Sequence, residues 1–165
     1  MTCRRASGVA GAGAVVYGRS MERPGGVEWT LRCDGGARGN PGPGAAAWIL
    51  TAPDGREAEA KAEYLGHVTN NVAEYRALIR GLEAAARAGA STLRVYMDSE
   101  LVVRQMKGEY RVKHEGLKPL YAEAQRAATA LTSLRFEAVR REQNADADRL
   151  VNETLDKILG SESSM

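Results

Sequence analysis

The sequence predicts an α/β domain: a five-stranded mixed sheet with helices on both faces. Three observations carry this. Three segments with strand character follow one another early in the chain, joined by short turns, as in an antiparallel meander. From residue 70 onward helical and strand periodicities alternate, giving the order βββαβααβα with helix crossovers. At 165 residues the chain suits one domain and can bury a real core.

The elements follow in order. Val27, Trp29, Leu31 and Cys33 alternate with Glu28, Thr30 and Arg32, a half-buried strand, and the glycine-rich stretch GGARGNPGPG after it reads as a turn. Residues 44–52 and about 57–66 read as two strands around the Pro53-Asp54-Gly55 turn. Between Asn70 and Gly89 the pattern is helical, with Leu78, Leu82 and Ala85 on one stripe and Gly89 as the stop. A strand over Thr92–Met97 leads into a helix at about 100–107. A basic connection, KGEYRVKHEGLK, precedes a helix near 119–131 and a strand near 133–139. The last helix starts at Asn144, a good N-cap residue, with Asp146 in the first turn where the helix dipole favours an anion.

The domain is expected over residues 27–160. Residues 1–26 are rich in Gly, Ala and Arg, which admits a transit peptide. No helical periodicity supports an amphipathic segment there, so a disordered leader is expected, with Met21 as an alternative start. Residues 161–165 read as a disordered tail or the cut end of a longer chain. The formal net charge of +2 does not by itself mark a nucleic-acid binder. Two cysteines, Cys3 and Cys33, are too few for a disulfide framework, which points to a reducing, cytoplasmic setting. No apolar stretch approaches the length of a membrane span, so no membrane partner is expected.

Four acids stand out. Asp34 ends the first strand; by alternation it shares a face with Thr30 and Arg32, where a solvated or turn-forming Asp is the plain alternative. Glu74 lies four residues before Leu78 and eight before Leu82, on the apolar stripe, where an acid needs a cation or hydrogen bonds. A first-turn dipole role is its milder alternative. Asp98 sits at the carboxyl end of a strand feeding a helix, where open α/β sheets place ligands, although Asp98 or Ser99 would also serve as an N-cap. Asp148 is one turn into the last helix, flanked by Ala147 and Leu150, whereas Asp146 and Glu153 read as solvated. Converging carboxylates suit a pair of divalent ions, a common device for cutting phosphodiesters.

The strings DGGARGNPGPGAAAW, TNNVAEYRAL, DSELVVRQMKG and NADADRLVNETLD resemble the four blocks of type 1 ribonuclease H, in order, over residues 28–159. The resemblance implies a ribonuclease H-like fold with strand order 3-2-1-4-5 and cleavage of the RNA strand of RNA–DNA hybrids. It also implies two Mg²⁺ or Mn²⁺ ions held by Asp34, Glu74, Asp98 and Asp148. By the same matching, Asn40, Asn70 and Asn71 would touch the nucleic-acid strands, and the backbone at Gly35, Gly36 and Ala37 would approach the RNA. Amides and exposed backbone can read a 2′-hydroxyl across a shallow minor groove. Helix capping is the alternative for Asn70 and Asn71.

The chain departs from the best-known bacterial members in three places. Glu100 stands where they carry a glutamine that meets substrate. The loop before the fourth acid is shortened to VRREQN and lacks their histidine, since His67 and His114 lie elsewhere. Arg140 or Arg141 is the nearest cation, with Arg141 taken as the stand-in. This resembles the archaeal and actinobacterial branch. The basic protrusion is reduced to Lys107, Arg111, Lys113, His114 and Lys118, which would engage phosphates or be a solvated loop.

A monomeric endoribonuclease leaving 5′-phosphate and 3′-hydroxyl ends is therefore expected, with double-stranded RNA as a second candidate substrate. One rival is a non-catalytic hybrid- or RNA-binding module, which would gain nothing from carboxylates facing phosphates. The other is a different two-metal nuclease on the same fold, which fold alone cannot separate.

Overall fold

Strand β1 (Glu28–Ala37) is the middle of a five-stranded sheet in the order β3-β2-β1-β4-β5, as expected. The structure is a computed structural model that describes residues 27–163; the expected leader lies outside these residues. On one side β1 pairs antiparallel with β2 (Gly42–Thr51), which pairs antiparallel with β3 (Glu57–Val68). On the other it runs parallel to β4 (Thr92–Met97), which runs parallel to β5 (Ser133–Ala138). The meander and the two helix crossovers thus stand as read.

β1 corrects the expected turn. It continues through Asp34, Gly35, Gly36 and Ala37, each paired with β2, and the chain turns only at Arg38–Pro41, where the Arg38 amide donates to Pro43 O at 2.8 Å. Gly35 is not there to bend the chain. A methyl group on it would overlap the Ala73 carbonyl and come within 2.6 Å of the Glu74 amide nitrogen. Its bare backbone is what lets the first helix seat its N-terminal turn on the strand.

Helices α1 (Asn70–Arg87), α2 (Glu100–Met106) and α3 (Lys118–Ala128) contribute to the main core, with Leu31, Cys33, Trp48, Val95 and Phe136 beneath them. The opposite face of β1–β3 is covered by α4 (Ala145–Ser163), which seals a smaller core of Ala45, Ala47, Val151 and Leu155. This helix runs three residues beyond the expected domain end at 160. A short 3₁₀ turn, Arg141–Asn144, precedes it. Asn144 is not the expected N-cap. It is 1% exposed, its Nδ2 donates to Cys33 O at 2.8 Å, and its Oδ1 has no hydrogen-bond partner among the described residues. Together with Arg32 Nη1 donating to Gln143 O at 3.3 Å, this bond fastens the loop before α4 to β1.

Candidate active site

Around Asp34, β1 lies beside the N-terminal turns of α1 and the carboxyl end of β4, and α4 covers its other face. Four acids meet there as a consequence. Oxygen atoms of Asp34, Glu74 and Asp98 all lie within 4.8 Å of one another. Asp148, half-buried on α4, is within hydrogen-bonding reach of Asp34 and lines the same cleft of about 450 Å³. Each arrives by a different local cause. Asp34 faces α4, so it is only 5% exposed rather than solvated. Glu74, 9% exposed, is brought over by the close packing of Ala73 on Gly35. Asp98 is left free because Ser99 caps α2, its Oγ accepting from the Val102 amide at 3.3 Å.

Burial and mutual repulsion raise two of these acids. Asp34 is pushed from its ordinary 3.8 up to about 8, first by burial and then by repulsion from Asp98 and Asp148. Glu74 is raised well above the carboxylate range by burial and by Asp34 and Asp98, against the opposing pull of the Gly35 amide and Arg141. One oxygen of Glu74, Oε1, is buried without a hydrogen-bond partner among the described residues. A buried carboxylate oxygen facing two other carboxylates is suited to a cation. The donor set is oxygen only, and the residues fit a divalent metal.

Gly35, Gly36, Ala37 and Asn70 line the cleft with the acids. The expected cap roles fall elsewhere: Thr69 caps α1, its Oγ1 accepting from Val72 at 3.2 Å. Asn70 instead accepts the Ala37 amide on Oδ1 at 2.9 Å, and Asn40 Oδ1 accepts the Asn70 amide at 3.0 Å. Asn71 is exposed at the same helix end, outside the cleft lining. Glu100 is also outside it, exposed and bonded to Arg104 at 2.9 Å. Arg141 does reach the site. It lines the cleft with its Nε 4.0 Å from Asp98 Oδ2, on a side chain 80% exposed. Arg140 pairs with Glu142 instead. Arg38 and Asn152 line the cleft without having been singled out in the sequence. The available signal for Asn152 was its spacing, one turn after Asp148 on the same helix face.

The fold and this four-carboxylate cleft define an RNase H-like domain. Residues 32–154 match the family described as reverse transcriptase-like. The bifunctional protein Rv2228c of Mycobacterium tuberculosis is 46% identical over 127 residues, 76% of this chain and 35% of the relative. The structure of its N-terminal RNase H domain superposes with a TM-score of 0.79 at 41% identity, covering 83% of this chain and 99% of that one. RNase H1 of the archaeon Halobacterium salinarum gives 0.76 at 37% identity over 79% of this chain and 98% of that one. LC11-RNase H1 in complex with an RNA/DNA hybrid gives 0.74 at 43% identity, covering 79% and 99%. The chain belongs to the reverse transcriptase-like family, as an RNase H-like domain. It spans about a third of the length of the mycobacterial relatives it matches.

Proposed function

We propose that this chain is a metal-dependent endoribonuclease that hydrolyses the RNA strand of RNA–DNA hybrids, leaving 5′-phosphate and 3′-hydroxyl ends. The observation that carries this reading is the convergence of Asp34, Glu74, Asp98 and Asp148 on one cleft, with a buried Glu74 oxygen left unpartnered among the described residues. Hard oxygen donors suit Mg²⁺ or Mn²⁺ and argue against zinc. Two such ions, when bound, supply activation of water and stabilisation of the leaving oxygen.

The chain's own residues do the rest. Asp34, Glu74 and Asp98 are fixed by β1, α1 and β4, so their positions are set before substrate arrives. Asp148 completes the set from α4. Asn40 and Asn70 have their amide oxygens occupied within the protein, which leaves NH₂ donors to offer to acceptors in the minor groove, the 2′-hydroxyl oxygen among them. The hybrid bound in the LC11 structure supports this substrate class. Arg141 contributes positive charge near Asp98 and the substrate phosphate. All four acids come from one chain, which suits a monomer, and the buried free thiol of Cys33 suits a reducing, cytoplasmic compartment.

The test is incubation of end-labelled hybrid, double-stranded RNA and double-stranded DNA with Mg²⁺ or Mn²⁺. Cleavage of the hybrid's RNA strand is expected. Hybrid binding without cleavage would favour the non-catalytic module, and cutting of double-stranded DNA would favour another nuclease on this fold. Cleavage of double-stranded RNA as well would widen the substrate class.

A further inference from the structure

Asp148 stands apart from the other three acids. It lies outside the trio whose oxygens are mutually within 4.8 Å, and it projects from a helix rather than from the sheet or from a backbone seated on it. One turn further along α4, Asn152 Nδ2 donates to Asp148 O at 3.1 Å and reaches its Oδ2 at 3.4 Å. The other end of that amide, Oδ1, accepts from Arg38 Nη2 at 3.0 Å. The same Arg38 nitrogen is 3.4 Å from Asn152 O, and its Nη1 pairs with Asp156 at 2.8 Å, so the guanidinium spans a turn of α4.

We propose that Arg38 and Asn152 are positioning residues for Asp148, a relay from the β1–β2 turn that aims the fourth carboxylate at a divalent cation. The proposal rests on the metal-dependent reading above. An amide has one donor end and one acceptor end. A guanidinium at Oδ1 selects the orientation of Asn152 in which the NH₂ faces Asp148. Without Arg38 the amide keeps only its contacts to Asp148 itself and loses the anchor that holds the Asn152 side chain in place from the β1–β2 turn. Arg38 comes from the turn directly after the Gly35–Ala37 strip, so the relay ties the cleft's rim to α4. Groups that orient a metal ligand without touching the metal commonly change affinity by about 10–100-fold.

The sign of the Arg38 effect separates this role from plain charge. Arg38 is a cation lining a cleft read as a cation site. By Coulomb's law alone its removal strengthens metal binding; the relay requires that its removal weakens it. The experiment titrates the full chain and its variants with Mn²⁺ in the absence of nucleic acid, following free Mn²⁺ by electron paramagnetic resonance. Arg38→Ala and Asn152→Ala are each expected to weaken Mn²⁺ binding by about tenfold. Arg38→Ala/Asn152→Ala should be no weaker than Asn152→Ala alone, because both act through one contact. Arg149→Ala, which removes a cation bonded to Asp146 and Glu153 on the outer side of α4, should not weaken binding. Unchanged or tighter binding in Arg38→Ala overturns the relay, and so does a double variant whose loss is the sum of the two. Because no substrate is present, failure to cut hybrids leaves this test intact. A wild-type chain that binds no Mn²⁺ would sink both readings.

Discussion

The two faces of β1 do opposite work. Toward α1 it presents Leu31, Cys33 and Gly35, packed against Leu78, Gly81 and Ala73 in the main apolar core. Toward α4 it presents Thr30, Arg32, Asp34 and Gly36, beside a small core of Ala45, Ala47, Val151 and Leu155 that borders the acid cluster. The first face gains stability from burial. The second holds a carboxylate whose burial and repulsion work against the folded state unless a cation is present. One strand therefore carries both the fold's support and its electrostatic liability, separated only by side-chain alternation.

Substitutions on the two faces should separate activity from stability. The largest effect belongs to Asp98→Asn, which should abolish cleavage while hybrid binding, measured by filter retention, stays intact or tightens as repulsion of phosphate falls. Near wild-type turnover would remove Asp98 from the metal set. On the other face, Leu78→Ala empties a fully buried site and should cost about 2–5 kcal/mol in denaturant unfolding. Turnover per folded molecule should be unaffected, and a large fall in it would mean that the two faces are coupled.

Next in size is the pH dependence of the metal-free protein. Asp34 ionises at 3.8 ordinarily and at about 8 in the fold. Between those values the folded chain keeps a proton that the unfolded chain has lost, so the stability contributed by this group falls as pH rises from about 4 to about 8. Glu74, raised for the same reasons, adds to the fall. The drop should be on the order of a few kcal/mol. It should shrink in Asp34→Asn, and an equal slope in wild type and variant would contradict the assignment. Smallest is Arg141→Ala, expected to slow turnover by roughly ten- to a hundredfold, about 1.4–2.7 kcal/mol, with the shape of the pH–rate profile unchanged. Arg140→Ala should do less, since Arg140 does not line the cleft. Equal small effects would reduce both to general phosphate contacts, and a lost titration limb would give Arg141 a proton-transfer role.

Much of this was legible in the sequence because local patterns carried it. The strand alternation, the Leu78–Leu82 stripe and the short meander turns led to the observed sheet, and Glu74 stood out by sitting on an apolar stripe. Burial of Asp34 was not legible, because it depends on α4 returning over β1 from the far end of the chain. The end of β1 was misplaced because Gly35 and Gly36 look like turn residues, whereas Gly35 serves a helix packed at backbone contact. Asn144 looked like a cap by its place before a helix; its partner, the Cys33 carbonyl, lies 111 residues away in sequence. The Arg38–Asn152 pairing is of the same long-range kind, at 114 residues.

If the acid cluster opposes folding until a divalent cation occupies it, the melting temperatures of wild type and Asp34→Asn at pH 8, without and with saturating Mn²⁺, will show it. Without the ion the variant should melt higher than wild type. With it, wild type should gain more than the variant, since the ion binds the folded state and loses a ligand in the variant. Equal gains in the two proteins, or a wild type that melts higher without any ion, would contradict the claim.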